Sequence, residues 1–246
     1  MSTDPTRFVL VGTSHAGNVG ASARAMKVMG FRDLVLVAPR WSDVLDRDEA
    51  RAMASGATDV LESARVVETL PQALDGIDCV CATAMTPRDF GPPTRAPRDA
   101  FAEFAVRSPR PRVAFVFGSE RYGLGNEDVY RCHVALSIPT APGYGSLNLA
   151  QAVQLIAYDW REALGGHAVE PRTAAPLPAD AVAVEGALEH WRRTLVDIGF
   201  LDPATPRKLM PRLQQLMNRA RPTVEEVHIL RGIARAVDKA RSGRSG

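Results

Sequence analysis

The chain has 246 residues, enough for one large domain or for a domain plus a small one, either with a proper core. Its 46% hydrophobic and 24% charged residues are ordinary for a globular protein, and no apolar run approaches the roughly 18–20 residues that span a bilayer. The net charge of +2 hides an asymmetry: residues 1–180 hold 18 Lys/Arg against 21 Asp/Glu, residues 181–246 hold 12 against 7, so −3 and +5. A basic C-terminal segment suits a polyanionic partner; a solvated helical surface with spare arginines gives the same count. Three cysteines, an odd number, argue against a disulfide framework, and a polar start running straight into a strand predicts no secretory leader. The expected compartment is the reducing cytoplasm.

In chain order, residues 7–164 alternate short apolar runs with amphipathic stretches, the pattern of an α/β domain with a mostly parallel sheet. A strand over 8–11 leads through Gly12, Gly17 and Gly20 into a helix over 19–29. The glycine spacing misses the dinucleotide fingerprint, and no Lys-Ser/Thr pair follows to make a phosphate loop. What remains is a polar helix start. Asn18 and Arg24 lie six residues apart, about 120° from alignment at 3.6 residues per turn. They converge on one ligand if Asn18 sits at a flexible helix start; otherwise Asn18 is a plain cap and Arg24 a surface cation.

A strand over 34–38, a helix over 46–55 behind Asp46, a weak strand at 66–67 and a helix over 69–74 follow. The strand over 77–82 carries Cys79 and Cys81 on one face, as small buried residues would be. No second cysteine pair has ligand spacing and the five histidines are scattered, so no metal is expected; His15 reads as a loop contact. The proline-stiffened stretch 85–98 holds Arg88, Arg95, Arg98 and Phe90, either an RNA-contacting loop or a solvated one with Phe90 packed inward. Pro97 opens a helix over 97–106. The strand over 113–117 ends on Gly118, where a ligand can approach the backbone; Glu120 and Arg121 behind it belong to a site, pair with each other or cap the next helix. Then come a helix over 126–132, a strand over 134–138, a Gly/Pro-rich loop to Gly145, and a helix over 147–163 that Ser146 can cap.

Gly165-Gly166 and the Pro/Ala-rich run 171–178 read as a linker. The expected division is therefore a domain over 1–164, a linker over 165–180 and a helical extension over 181–246. Helices are predicted over 182–198, 207–219 and 224–241, and the SGRSG end is expected to fray.

Three segments, GNVGASARA at 17–25, FGSERYGL at 117–124 and SLNLA at 146–150, together resemble the signature motifs of the SPOUT methyltransferases. The match favours the branch that methylates ribose 2′-hydroxyls of RNA from S-adenosylmethionine. The resemblance implies a C-terminal trefoil knot, which periodicity cannot give. It implies that Thr83, Ala84, Met85, Gly118, Ile138, Gly145, Ser146 and Leu147 contact the cofactor. It implies Arg24 as the catalytic arginine, with Asn18, Glu120, Ser146 and Asn148 completing the site. An arginine is a poor base, so a phosphate-holding and charge-stabilising role suits Arg24 better; whether it also takes the proton stays open.

The resemblance also implies a homodimer, with the stripe Leu147, Ala150, Val153, Gln154 and Ala157 at its interface. A helix packed on its own sheet shows the same stripe. Farther on, GFLDP at 199–203, PRKLMPRL at 206–213, NRA at 218–220 and ILRG at 229–232 resemble the C-terminal extension of the bacterial TrmJ-type family. That implies tRNA as partner and the 2′-hydroxyl of cytidine or uridine 32 in the anticodon loop as target. Another RNA target, or an RNA-binding protein that keeps only the fold, are the alternatives.

Overall fold

The computed structural model describes residues 4–84, 86–170 and 173–242. The chain divides into two compact units, Met1–Ala168 and Val169–Gly246. In the first, the strands are β1 (Arg7–Val11), β2 (Asp33–Val37), β3 (Arg65–Val67), β4 (Cys79–Thr83), β5 (Thr94–Arg95), β6 (Val113–Phe117) and β7 (Val134–Leu136). Its helices are α1 (Ala16–Val28), α2 (Asp48–Ala54), α3 (Thr58–Glu62), α4 (Leu70–Ala73), α5 (Pro97–Val106), α6 (Asn126–Tyr130) and α7 (Leu149–Ala163). All seven strands join one sheet in the order β3-β2-β1-β6-β4-β7-β5, and every pairing is parallel.

The strands read as nearly unbroken apolar runs because both faces are covered. Alternation then sorts them into two cores. Phe8, Leu10, Leu34, Leu36, Cys79, Cys81, Phe115 and Phe117 face one, shared with buried residues of α1, α5 and α7. Val9, Val35, Val37, Val80, Ala82 and Val116 face the other, against Leu70, Ala73, Val129 and Cys132. The first core is aromatic at its centre: Phe8, Phe31, Phe101, Phe115, Phe117 and Trp160 pair stacked, tilted or edge-on at 5.2–6.2 Å between centroids. Trp160 donates its indole N–H to Thr6 Oγ1 at 2.8 Å, so the buried ring leaves no orphan donor.

Because the sheet is wholly parallel, the loops after β1, β2, β4, β6 and β7 all leave from one rim, the place where open α/β sheets bind ligands. Two close approaches shape that rim. A Cβ on Gly20 would lie 2.0 Å from the Ala50 carbonyl oxygen, so α1 and α2 touch backbone to backbone there. Gly118 is filled in the same way by its own loop: a Cβ would meet Gly123 C at 2.0 Å and Leu124 N at 2.2 Å. The missing side chain at Gly118 thus lets its own loop fold back against it.

Element ends moved in informative ways. Helix α1 starts at Ala16, so Asn18 lies inside its first turn and is neither a cap nor on a flexible helix start. Asn148, not Ser146, caps α7, accepting from Ala150 N at 2.9 Å within a full capping box. The strand expected over 134–138 stops at Leu136. The two-residue β5 and the short α3 had no periodicity to reveal them. In the stripe proposed for pairing, Val153 and Ala157 are fully buried in this chain's own core, so they cannot face another chain; Leu155 (42% exposed) and Tyr158 (46%) form the outward side of α7.

The second unit holds α8 (Ala181–Asp197), α9 (Leu209–Ala220) and α10 (Val224–Ser242). Asp238 ties α10 to α8 by accepting from Thr194 Oγ1 at 2.8 Å and lying 2.9 Å from His190 Nε2. The end of the expected linker belongs to this unit: Ala179 N donates to Pro222 O, Val224 N donates to Leu177 O, and Asp180 caps α8. The cofactor role expected of Met85 and the fraying expected of the C-terminal end lie outside the described residues. Among the described residues no helix is long and apolar enough to cross a membrane, and no metal-holding cluster of His, Cys, Asp and Glu occurs.

Candidate active site

Glu120 organises the rim. Its Oε1 accepts from Thr13 Oγ1 at 3.0 Å and from Asn18 Nδ2 at 2.9 Å; its Oε2 accepts from the Ser14 amide and hydroxyl, both at 3.0 Å. Asn18 passes the chain on, because its Oδ1 accepts from Asn148 Nδ2 at 2.9 Å. Asn148 Oδ1 in turn takes the Ala150 amide at the start of α7. One relay thus joins the start of α1 to the loop after β6 and to the start of α7, both more than a hundred residues away in sequence. Since an ionised carboxylate only accepts, it fixes which end of each amide points where.

Burial alone would raise the Glu120 carboxyl, but the bonds from Asn18, from Ser14 and from its own backbone outweigh it and hold the pKa at about 2. Glu120 is therefore a standing anion near neutrality and has no proton to offer. It does not pair with Arg121, whose guanidinium lies 5.2 Å from the Tyr122 ring instead.

Beside this relay opens a cavity of about 360 Å³, in the size range of small-molecule sites. Thr83, Ala84, Gly118, Ile138, Gly145, Ser146 and Leu147 all line it, which are the described residues expected to touch a cofactor. Phe117, Leu124, Leu136 and Leu149 supply apolar surface; Glu120, Arg88 and Arg121 supply charge. Arg88 Nε is buried without a hydrogen-bond partner among the described residues. Arg88 Nη1 donates to Thr86 Oγ1 at 3.4 Å. The lining suits a neutral aromatic group with a charged end, and a buried Nε–H left without a partner suits an anion.

Arg24 stands apart. It is exposed on α1 and has no hydrogen bond or ion pair among the described residues. The network Asn18–Glu120–Asn148 assembles in one chain; Arg24 is not drawn into it. Sequence reasoning offers Arg88 as an RNA contact, whereas it lines the cavity, and it gives no role to Thr13 or Ser14. Thr13 and Ser14 follow a strand like countless loop residues, and nothing local announces a partner 106 or 107 positions away.

The cysteines behave as expected of core residues. All three are free and buried. The Cys79 and Cys81 thiols share a hydrogen bond that lowers the first and, with burial, raises the second; burial pushes Cys132 to about 12. Phe90, by contrast, is 99% exposed and is not packed inward.

A chain with a parallel α/β unit that carries a polar relay and a cavity on its carboxyl rim, followed by a helical unit, matches known proteins over nearly its whole length. Residues 5–158 match the SpoU rRNA Methylase family, and residues 182–246 match the tRNA methyltransferase TrmJ C-terminal domain. The chain belongs to the SpoU methylase family, in its TrmJ-type branch. It is 42% identical over 241 residues to the tRNA (cytidine/uridine-2′-O-)-methyltransferase TrmJ of Pectobacterium atrosepticum, covering 96% of this chain and 98% of that one. It is also 42% identical to the tRNA (cytidine/uridine/adenosine-2′-O-)-methyltransferase TrmJ of Pseudomonas aeruginosa, covering 98% and 97%. Among solved structures, TrmJ from Z. mobilis ZM4 superposes with a TM-score of 0.79 at 31% identity, covering 94% of this chain and 98% of that one.

Proposed function

We propose that this enzyme transfers a methyl group from S-adenosylmethionine to the ribose 2′-hydroxyl of a pyrimidine in tRNA, at position 32 of the anticodon loop. The observation that carries the reading is the Asn18–Glu120–Asn148 relay at the mouth of the 360 Å³ cavity. The names of the full-length relatives support tRNA as substrate. When bound, the cofactor supplies a methyl group on a sulfonium, and the reaction is an in-line displacement by the 2′-oxygen.

The residues then divide the work. Apolar side chains and main-chain groups around Ile138 and Leu147 take the adenine, and Arg88 takes the carboxylate end. Asn148, held by Asn18, presents its amide toward the ribose, so the nucleophile is aligned before reaction. Arg24 holds a neighbouring phosphate and stabilises charge developing on the 2′-oxygen. Its isolation within one chain supports the reading that it serves the cavity of a second copy in a homodimer. The loops at 118–125 and 137–148, which meet at that cavity, are read as the family's trefoil knot. Three buried free thiols fit an enzyme working in the cytoplasm.

The deciding experiment is transfer of labelled methyl to bulk tRNA, followed by mapping of the modified nucleotide. Label at the 2′-oxygen of residue 32 supports the reading. Label only in ribosomal RNA, or none anywhere, overturns it. Adenosine belongs in the mapping because one relative carries it in its name.

A further inference from the structure

We propose that Arg40 and Trp41, on the loop after β2, form a docking surface for the RNA strand that flanks the target ribose; this rests on the methylation reading above. The sheet order sets the geometry. The cavity belongs to the β6-β4-β7 side, while the relay sits between β1 and β6. A ribose approaching the relay from the side opposite the cavity brings its neighbouring nucleotides over the loops of β1 and β2.

The loop after β2 is fastened to the relay. Gly12 N donates to Val37 O at 2.8 Å, Arg40 N donates to Thr13 O at 2.9 Å, and Trp41 Nε1 donates to Ser14 O at 3.3 Å. Thr13 and Ser14 hold Glu120 with their other groups. A contact made on Arg40 or Trp41 is thus in register with the reacting centre.

The chemistry of the surface is that of a single-strand binder. Trp41 is 37% exposed, with the Arg40 and Arg47 guanidinium carbons 4.9 Å and 4.2 Å from its ring centroid. Nearby acids are already committed: Asp43 to Arg47 at 3.1 Å and Asp46 to Arg51 at 3.3 Å, while Asp48 and Glu49 occupy the first turn of α2, where the helix dipole favours them. Arg40 has no carboxylate partner among the described residues. The Arg40 guanidinium rests on the indole and has no carboxylate to release, so a phosphate can draw it off the ring and leave that part-exposed ring for a base to stack on.

The test compares wild type with Arg40→Gln, Trp41→Phe and Trp41→Ala, full chain throughout. Arg40→Gln is expected to raise the tRNA KM roughly fivefold with kcat little changed, and to lower the salt slope of tRNA binding by about 0.7–0.9. Trp41→Ala is expected to raise KM about tenfold or more, and Trp41→Phe, which keeps a ring but loses the N–H to Ser14, much less. Cofactor affinity by calorimetry should not move. Unchanged KM and salt slope in Arg40→Gln overturns the surface. So does Trp41→Phe as impaired as Trp41→Ala, since the indole would then only brace the loop. Fluorescence supplies a readout independent of turnover: an anticodon stem-loop RNA should quench wild-type emission beyond the quenching seen in Trp41→Phe. If wild type transfers no methyl to tRNA, the functional reading fails on its own, and equal quenching in the two proteins is what removes the surface.

Discussion

At the scale of single residues, the site separates groups held still from one left free. Glu120, Asn18 and Asn148 spend their hydrogen bonds on each other and on backbone, so their orientations are set before substrate arrives. Arg24 keeps its donors unspent. Arg24→Ala should therefore abolish methyl transfer while leaving the cofactor dissociation constant within about twofold, since the cavity lining does not include it. Near-normal turnover in a folded Arg24→Ala protein would remove its assigned role. Glu120 gives a pH prediction of definite sign. Its folded pKa of about 2 lies below its ordinary value of 4.5, so it contributes stability that is fully present above pH 4.5 and is lost as pH falls toward 2. Glu120→Gln should flatten the acid side of the stability curve within that window. It should also lower kcat near neutrality, because the Gln amide nitrogen would face donors. Denaturant unfolding at stepped pH, beside wild type, checks the first point, and single-turnover rates check the second.

At the scale of elements, what the sequence disclosed follows from how far each signal reaches. The apolar runs of β1, β2 and β6 and the 3.6-residue stripe of α7 are strong local signals, and those elements fall within two residues of their expected ends. The start of α1 is not legible that way: Ala16 and Gly17 look like loop, and become helix because α2 packs against them. Gly20 shows the same tertiary control. Its missing side chain is what lets Ala50 approach, so Gly20→Ala should destabilise by roughly 1–3 kcal/mol or more, as overpacking does. Gly56, with nothing within 4 Å of a built Cβ, is the control and should change by no more than about 0.5 kcal/mol on the same substitution. Equal effects at the two glycines would contradict the close α1–α2 contact. The candidate site was half legible for a related reason. Polar residues at strand-to-helix turns can be found locally, but their bonding across more than a hundred residues cannot, and so nothing near Thr13 or Ser14 marks them as partners of Glu120.

At the scale of the whole molecule, two compact units and one isolated arginine frame the remaining tests. A chain ending at residue 168 keeps every described lining residue of the cavity and the entire relay, so it should bind cofactor as the full chain does. It loses the segment of net +5, so tRNA affinity should fall and its salt dependence flatten. Unchanged tRNA affinity and slope would assign the helical unit to stability alone. The dimer reading makes a sharper demand. If Arg24 of one chain serves the cavity of the other, a heterodimer of Arg24→Ala and Gly145→Val chains has one site with both lesions and one with neither. If each chain used its own Arg24, both sites would carry one lesion and be dead. Random pairing makes half of the dimers mixed, so the first case restores about a quarter of wild-type activity and the second restores none. Titrating one mutant into the other, with exchange of chains confirmed by native mass, distinguishes the two. Activity that stays at the level of the separate mutants after exchange would place Arg24 at its own chain's cavity.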